Sequence, residues 1–100
     1  MNLTTTKEIP MVTNSIATLF IQSANLEYFY QELAETNERI RRNLREIKEI
    51  SLNTQNAQTE AGVTRLKDLE KYVYNDAKDV LYLGREIKKN TERFYKTLDE

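Results

Sequence analysis

The side chains that most often carry catalysis and metal binding are missing from this 100-residue chain, which contains no His and no Cys. It therefore lacks the commonest general base and metal ligand, and it lacks a thiolate nucleophile. Its two Gly are far apart, so they cannot build a phosphate-binding loop. We expect a protein that is not an enzyme and that uses no metal, cofactor or small-molecule substrate.

Charged side chains are dense between residues 35 and 49, where acids and bases alternate. Glu35 and Arg39 are opposite charges four residues apart, as are Arg42 and Glu46, and this spacing is typical of a solvated helix face. A nucleic-acid-binding surface needs an excess of positive charge on one face. The four Glu of the segment balance its cations, which are Arg39, Arg41, Arg42, Arg45 and Lys48. The sequence therefore predicts no nucleic-acid binding.

Two rows of apolar residues with a spacing of seven indicate the elements that position these charges. The first ladder is Val12, Leu19, Leu26, Leu33, Ile40 and Ile47, and the second ladder is Leu66, Val73, Val80, Ile87 and Phe94. Sustained heptads of this kind predict long helices packed as a coiled coil. The sequence predicts that the seam of the first helix is completed by Ile9, Ile16, Ser23, Tyr30, Asn37, Leu44 and Ser51.

The two ladders are out of phase, and a segment rich in Asn and Gln separates them. This predicts an all-α fold, an antiparallel two-helix hairpin with coiled-coil packing. We expect a flexible N-terminus over 1–10 and one helical domain over 11–100. Its first helix covers about 11–52, its turn about 53–62 and its second helix about 63–98. One continuous kinked helix is the alternative.

Register within the hairpin follows from the position of the turn. A turn centred near Ala57 pairs residues whose numbers sum to roughly 114. This places Tyr30 opposite Gly84, a large side chain against a residue that has none, and Leu33 near Leu81. Asn37 falls in the predicted seam, where a buried Asn can fix register and partner number. Tyr30, Asn37 and Gly84 are therefore the predicted determinants of seam specificity.

Several large apolar side chains lie off both ladders and need another surface to cover them. They are Phe20, Ile21, Tyr28, Phe29, Tyr82 and Tyr95. Two helices share only one face, whereas a four-helix bundle covers more of each helix. The sequence therefore predicts that a homo-oligomer or a helical protein partner completes a four-helix bundle, with these residues at the partner interface.

Each of four Tyr is followed by an acid four residues later, and two such pairs are Tyr72 with Asp76 and Tyr95 with Asp99. A Tyr-x-x-x-acid element on a helical hairpin of this length resembles the Trp-X-Gly small proteins of type VII secretion, although this chain contains no Trp. That resemblance implies an export signal at those pairs. The chain equally resembles the short coiled-coil subunits of eukaryotic tethering, trafficking and kinetochore complexes. Our first hypothesis is more general: a structural or adaptor protein that packs with itself or another helical protein.

Targeting signals are weak in this sequence. The N-terminal residues lack a positively charged segment followed by an apolar core, so we expect no cleavable signal peptide. The longest run of mostly apolar residues, 16–21, is too short to span a bilayer. We expect a soluble, cytoplasmic protein that does not insert into membranes.

Overall fold

The chain forms a long helical hairpin in a computed structural model, which describes the backbone of residues 3–99 and the side chains of residues 16–55 and 57–99. Helix α1 spans Leu3–Leu52, α2 spans Thr54–Gln58 and α3 spans Glu60–Asp99. The two long helices pack against each other, and residues 3–99 contain no strand. The molecule measures 79 × 21 × 15 Å, and its length is about that of a straight 50-residue helix. The all-α hairpin is confirmed, and the single continuous helix is wrong.

The end of α1 agrees with the sequence prediction, but its start does not. The helix begins at Leu3 and so includes most of the segment predicted as a flexible N-terminus, whose first two residues lie outside the described part. Pro10 lies inside this helix. A helix can continue through a proline at the loss of one backbone hydrogen bond, so Pro10 does not mark its first turn.

The turn is shorter than the predicted range because α2 occupies much of it. The Ala57 amide donates to the Asn53 carbonyl at 2.9 Å within this connection. Thr59 caps α3, since its Oγ1 accepts a hydrogen bond from the Gly62 amide at 3.0 Å. The acidic Glu60 then lies in the first turn of α3, where the helix dipole favours a negative charge. Gly62 therefore lies inside the helix rather than in the turn.

The seam contains both predicted ladders, whose described members are half-buried; the side chain of Val12 lies outside the described residues. The predicted second row of α1 is wrong for its described members, while the side chain of Ile9 lies outside the described residues. Tyr30 is exposed, as are Ile16, Ser23, Leu44 and Ser51, while Asn37 is half-buried beside the ladder. The row that turns inward instead is Gln22, Phe29, Thr36, Asn43 and Ile50, and on α3 its counterpart is Gly62, Leu69, Asp76, Leu83, Asn90 and Thr97.

Contacts between α1 and α3 explain why the row containing Gln22 faces inward, and they fix the register of the two helices. Gln22 bonds Thr97, Arg39 bonds Asp76 and Glu46 bonds Arg65. These pairs agree with the predicted register to within a few residues. They form only when the row containing Gln22 faces α3, which turns Tyr30 outward.

The predicted packing of Tyr30 on Gly84 within the hairpin is wrong. Gly84 is exposed, and no described atom outside its own stretch of helix lies within 4 Å of the position that a Cβ would take. Tyr30 lies at about the same level on α1, but its ring is in solvent. No described residue fills the space beside Gly84.

Candidate functional site

The seam divides the surface of the hairpin into two long sides of different chemistry. We call the side next to the Gln22 row the polar side, because the residues that flank this row are Glu32, Arg39, Glu46, Arg65, Tyr72, Asp79 and Glu86. Arg65 and Glu46 join the helices here through two hydrogen bonds, from Nε at 2.6 Å and from Nη2 at 2.9 Å. The arrangement is a bidentate pair, the most specific geometry for these two groups.

The centre of the polar side is a cluster of three partnered side chains. Arg39 donates from Nη2 to the Thr36 hydroxyl at 3.1 Å and to the Asp76 carboxylate at 3.4 Å. Thr36 is buried and the Asp76 side chain is only 14% exposed, so the cation neutralises a largely buried carboxylate. These hydrogen bonds account for polar residues in a seam that periodicity alone would make apolar.

At the end of the hairpin away from the turn, which we call the open end, polar side chains are also hydrogen-bonded within the chain. Gln22 donates from Nε2 to the Thr97 hydroxyl at 3.0 Å, and this hydroxyl donates to the Arg93 carbonyl. Asn90 donates its amide to the Glu86 carbonyl at 2.7 Å. Gln22 Oε1 is buried and has no hydrogen-bond partner among the described residues. The polar seam is thus largely satisfied without any other molecule.

An open groove of about 360 Å³ lies on the polar side between Phe29 and Leu83. Tyr28 and Tyr82 form its outer walls, and Tyr28 meets Phe29 edge-to-face with ring centroids 5.4 Å apart. Glu32, Asp79 and Arg39 complete the lining. Its mixture of charges and exposed aromatics makes it a shallow polar surface rather than an enclosed ligand site.

On the polar side, the shifted pKa values belong to the ion pair of Glu46 and Arg65 near the turn. The hydrogen bond from Arg65 lowers the pKa of Glu46 below its ordinary value, and the same bond raises the pKa of Arg65. Both side chains are about half exposed, so solvent screens the pair. It helps to fix the register without contributing much stability.

The opposite side is apolar along most of its length. We call it the apolar side, and its exposed apolar and small residues are Ile16, Phe20, Ser23, Tyr30, Ala34 and Leu44 from α1, with Val63, Tyr74, Ala77, Leu81, Gly84, Tyr95 and Leu98 from α3. Exposed charged residues interrupt it at Glu27, Arg41, Lys67, Glu70 and Lys88. At the open end an apolar groove of about 300 Å³ brings Phe94 together with Ile16 and Phe20. The two ladders lie directly beneath this side and are only half covered by the hairpin.

The amount of surface supports the same conclusion. The accessible area is 8021 Å² for a chain of 11.8 kDa, whereas a compact monomer of this mass exposes about 5,900 Å². Among the described residues only Leu69 and Leu83 are buried apolar side chains. The hairpin therefore has little core of its own and a large unpartnered apolar surface.

The structure distributes the predicted interface residues over both sides. Phe20 and Tyr95 lie on the apolar side, whereas Tyr28 and Tyr82 line the groove on the polar side. Phe29, predicted to need a surface outside the hairpin, is instead half-buried in the seam. Ile21 is exposed one heptad before Tyr28, and therefore on the polar side. These residues do not form one patch.

Sequence reasoning missed the part of the apolar side that α3 contributes around its middle. Tyr74, Leu81 and Tyr95 share a heptad position, and this repeat was the available signal. Of the Tyr-acid pairs, Asp76 is bonded to Arg39, while Tyr95 and Asp99 are both exposed.

Comparisons with known proteins add no functional assignment: no family model, curated protein or solved structure matches this chain. Within the described residues, no helix is long and apolar enough to cross a membrane. The same residues contain no cluster of acidic side chains able to hold a metal ion.

Proposed function

We propose that this protein is a non-enzymatic interaction module, a structural or adaptor subunit that works by packing its apolar side against another helical surface. The observation that carries the proposal is the row of exposed large apolar side chains above two half-buried ladders. A second pair of helices laid on this side would convert the hairpin into a four-helix bundle and would cover both ladders.

Energetics favour the same function. A two-helix hairpin with two buried apolar side chains gains little from burial, and ordering about one hundred residues costs conformational entropy throughout. Covering exposed apolar surface contributes about 25 cal/mol per Å². Folding and association are therefore coupled in this proposal, and the partner surface supplies the missing core.

The test is to measure the solution mass and the thermal unfolding of the full chain over a wide range of concentrations. Association that stabilises the fold raises the unfolding midpoint with concentration and gives a mass above 11.8 kDa. A monomeric chain with weak helix content would also support the proposal, because it would need a different helical partner. A monomer that is fully helical, with a high midpoint independent of concentration, would overturn it.

A further inference from the structure

We infer that the surface covering the apolar side is the apolar side of a second copy of this chain. The two hairpins would lie parallel, with their open ends together and a two-fold axis along their length. This inference rests on the proposed function and names its partner. Four observations support it: the direction in which the apolar side faces, the unfilled space beside Gly84, the charges that would meet across the contact, and the surface area of the hairpin.

The angle between the seam and the apolar side on α1 suits a four-helix bundle with its helices at the corners of a square. On α1 the stripe runs Ile16, Phe20, Ser23, Glu27, Tyr30, Ala34, Asn37, Arg41 and Leu44, with alternating steps of four and three residues. At about 100° per residue this stripe is centred roughly 100° around the helix from the seam. Neighbours of one helix in a four-helix bundle are about 90° apart, so one helix can serve both seams.

The two-fold axis determines which residues meet. It places α1 of one copy against α3 of the other, with residues of equal height face to face. Equal heights within one chain are given by contacts such as Arg39 with Asp76. Tyr30 of one copy therefore faces Gly84 of the second copy.

Gly84 is the residue that most requires an outside partner. A glycine inside an exposed helix destabilises that helix relative to alanine, and no described residue of its own chain uses the space that it leaves. A tyrosine ring from a second copy would fill that space. Tyr30 and Gly84 do not pack together within one hairpin, but they would pack together between two hairpins.

Other pairs at equal height are complementary in size or charge. Ala34 of one copy faces Leu81 of the second copy, a small side chain against a large one. Glu27 faces Lys88 of the second copy, so opposite charges meet at the edge. The two-fold symmetry repeats each of these contacts. Such matching along one surface favours a second copy over an unrelated helical partner.

Area and charge define the extent and direction of the contact. Two chains together carry roughly 4,200 Å² more surface than two compact monomers, and obligate dimers bury about 2,000–5,000 Å². The opposite alignment would lay the apolar open end over Lys48 and Lys67, whose charges would lose water. In the parallel alignment Lys48 meets Lys67 near the turn, so the contact ends before that level.

Disulfide crosslinking tests this arrangement directly, because the native chain has no Cys. Tyr30→Cys and Gly84→Cys chains are made separately, one carrying an affinity tag, then mixed, refolded and oxidised. The control replaces the first variant with Tyr28→Cys, whose residue lies on the polar side with the same exposure. Circular dichroism of each variant confirms that the helices are retained. We expect a covalent heterodimer from Tyr30→Cys with Gly84→Cys, at least about tenfold more abundant than in the control.

Every other outcome overturns the inference in a recognisable way. Dimers of the wild-type chain without enrichment of the Tyr30→Cys crosslink would mean that a second copy binds in another arrangement. A wild-type chain that is monomeric and weakly helical would exclude a second copy but leave the proposed function standing. A stable helical monomer would overturn both. If a cysteine variant loses its helices, Glu27→Lys mixed with Lys88→Glu replaces it: the mixture should associate more tightly than either variant alone, and equal association would refute the pairing.

Discussion

The two sides of this hairpin expose tyrosine rings to similar extents, yet they differ in what surrounds those rings. On the polar side, Tyr28, Tyr72 and Tyr82 stand among charges that already have partners within the chain, such as Arg39 with Asp76. On the apolar side, Tyr30, Tyr74 and Tyr95 share the surface with apolar and small residues such as Ala34 and Leu81, although the Lys78 ammonium lies 4.7 Å from the centroid of the Tyr74 ring. Exposure of an aromatic residue therefore does not by itself mark an interface. The informative difference is whether the surrounding surface is satisfied by water and by internal hydrogen bonds.

This comparison also separates two roles of the seam. Its polar row fixes register, because Gln22, Arg39 and Glu46 each reach a specific group on α3. Its ladders supply burial, but only part of it, since they remain half exposed on the apolar side. The polar side thus specifies the register of the two helices, while on the apolar side the burial of the ladders is incomplete.

The largest expected effect comes from the seam that both sides share. Leu69 is the most deeply buried apolar side chain, and Leu69→Ala should lower the free energy of unfolding by about 2–5 kcal/mol. Leu81→Ala removes the same atoms from an exposed position on the apolar side, so it should weaken association and have little effect at concentrations where the chain is dissociated. Urea unfolding followed at low and high concentration measures both. If Leu69→Ala and Leu81→Ala lowered the free energy of unfolding equally at low protein concentration, our placement of the seam would be wrong.

A matched pair of tyrosines tests the two sides against each other. Tyr28 is 56% exposed and Tyr30 is 55% exposed, and they lie two residues apart on opposite sides. Tyr30→Ser should weaken association by about tenfold or more, because a large ring is lost from an apolar interface. Tyr28→Ser should change association much less. Sedimentation equilibrium gives both constants, and a larger effect from Tyr28→Ser would reverse our assignment of the two sides.

Gly84 offers two substitutions with opposite expected effects. Gly84→Ala should stabilise helix α3 by about 0.5–1 kcal/mol, because a Cβ meets no atom of the described residues. Gly84→Leu should be tolerated in the dissociated chain but should weaken association, since its side chain occupies the space assigned to Tyr30 of a second copy. Thermal unfolding at low concentration and sedimentation at high concentration separate the two. Unchanged association with Gly84→Leu would mean that nothing packs there.

The smallest expected effect concerns acid and the polar side. The pKa of Glu46 is lowered in the folded hairpin by its hydrogen bond to Arg65, so the pair contributes stability above the ordinary value of 4.5. This contribution is lost as the pH falls through the lowered pKa, when the carboxylate is protonated. Glu46→Gln should therefore reduce the difference in stability between neutral and acidic pH by a small amount. An identical acid response in the variant would mean that the pair is not formed in solution.

Much of the fold could be predicted because the ladders have a strong physical signal. Residues such as Leu26 and Val80 repeat every seven positions, and burial of such rows drives helix packing. The second row of α1 could not be chosen in the same way. The row containing Tyr30 has more apolar members than the row containing Phe29, so periodicity favours the wrong row. Contacts with α3, which periodicity does not encode, decide between them.

The site was harder to predict than the fold for a related reason. Off-ladder aromatics such as Phe20 and Tyr82 are recognisable as unburied, but their grouping depends on which row faces inward. The charged residues were misassigned for the same cause: Arg39 and Glu46 are paired across the hairpin, to Asp76 and Arg65, rather than along α1. The packed hairpin supplies this information, and a single helix does not.

Hydroxyl-radical footprinting of the six tyrosines tests the central claim most directly, because the molecule carries three on each side. In the isolated hairpin their exposures fall between 46% and 64%, so similar reactivity is expected from all six when the chain is dissociated. On association, our account predicts protection of Tyr30, Tyr74 and Tyr95, while Tyr28, Tyr72 and Tyr82 keep their reactivity. Protection of the second group instead, or equal protection of both, would contradict the assignment of the apolar side as the interface.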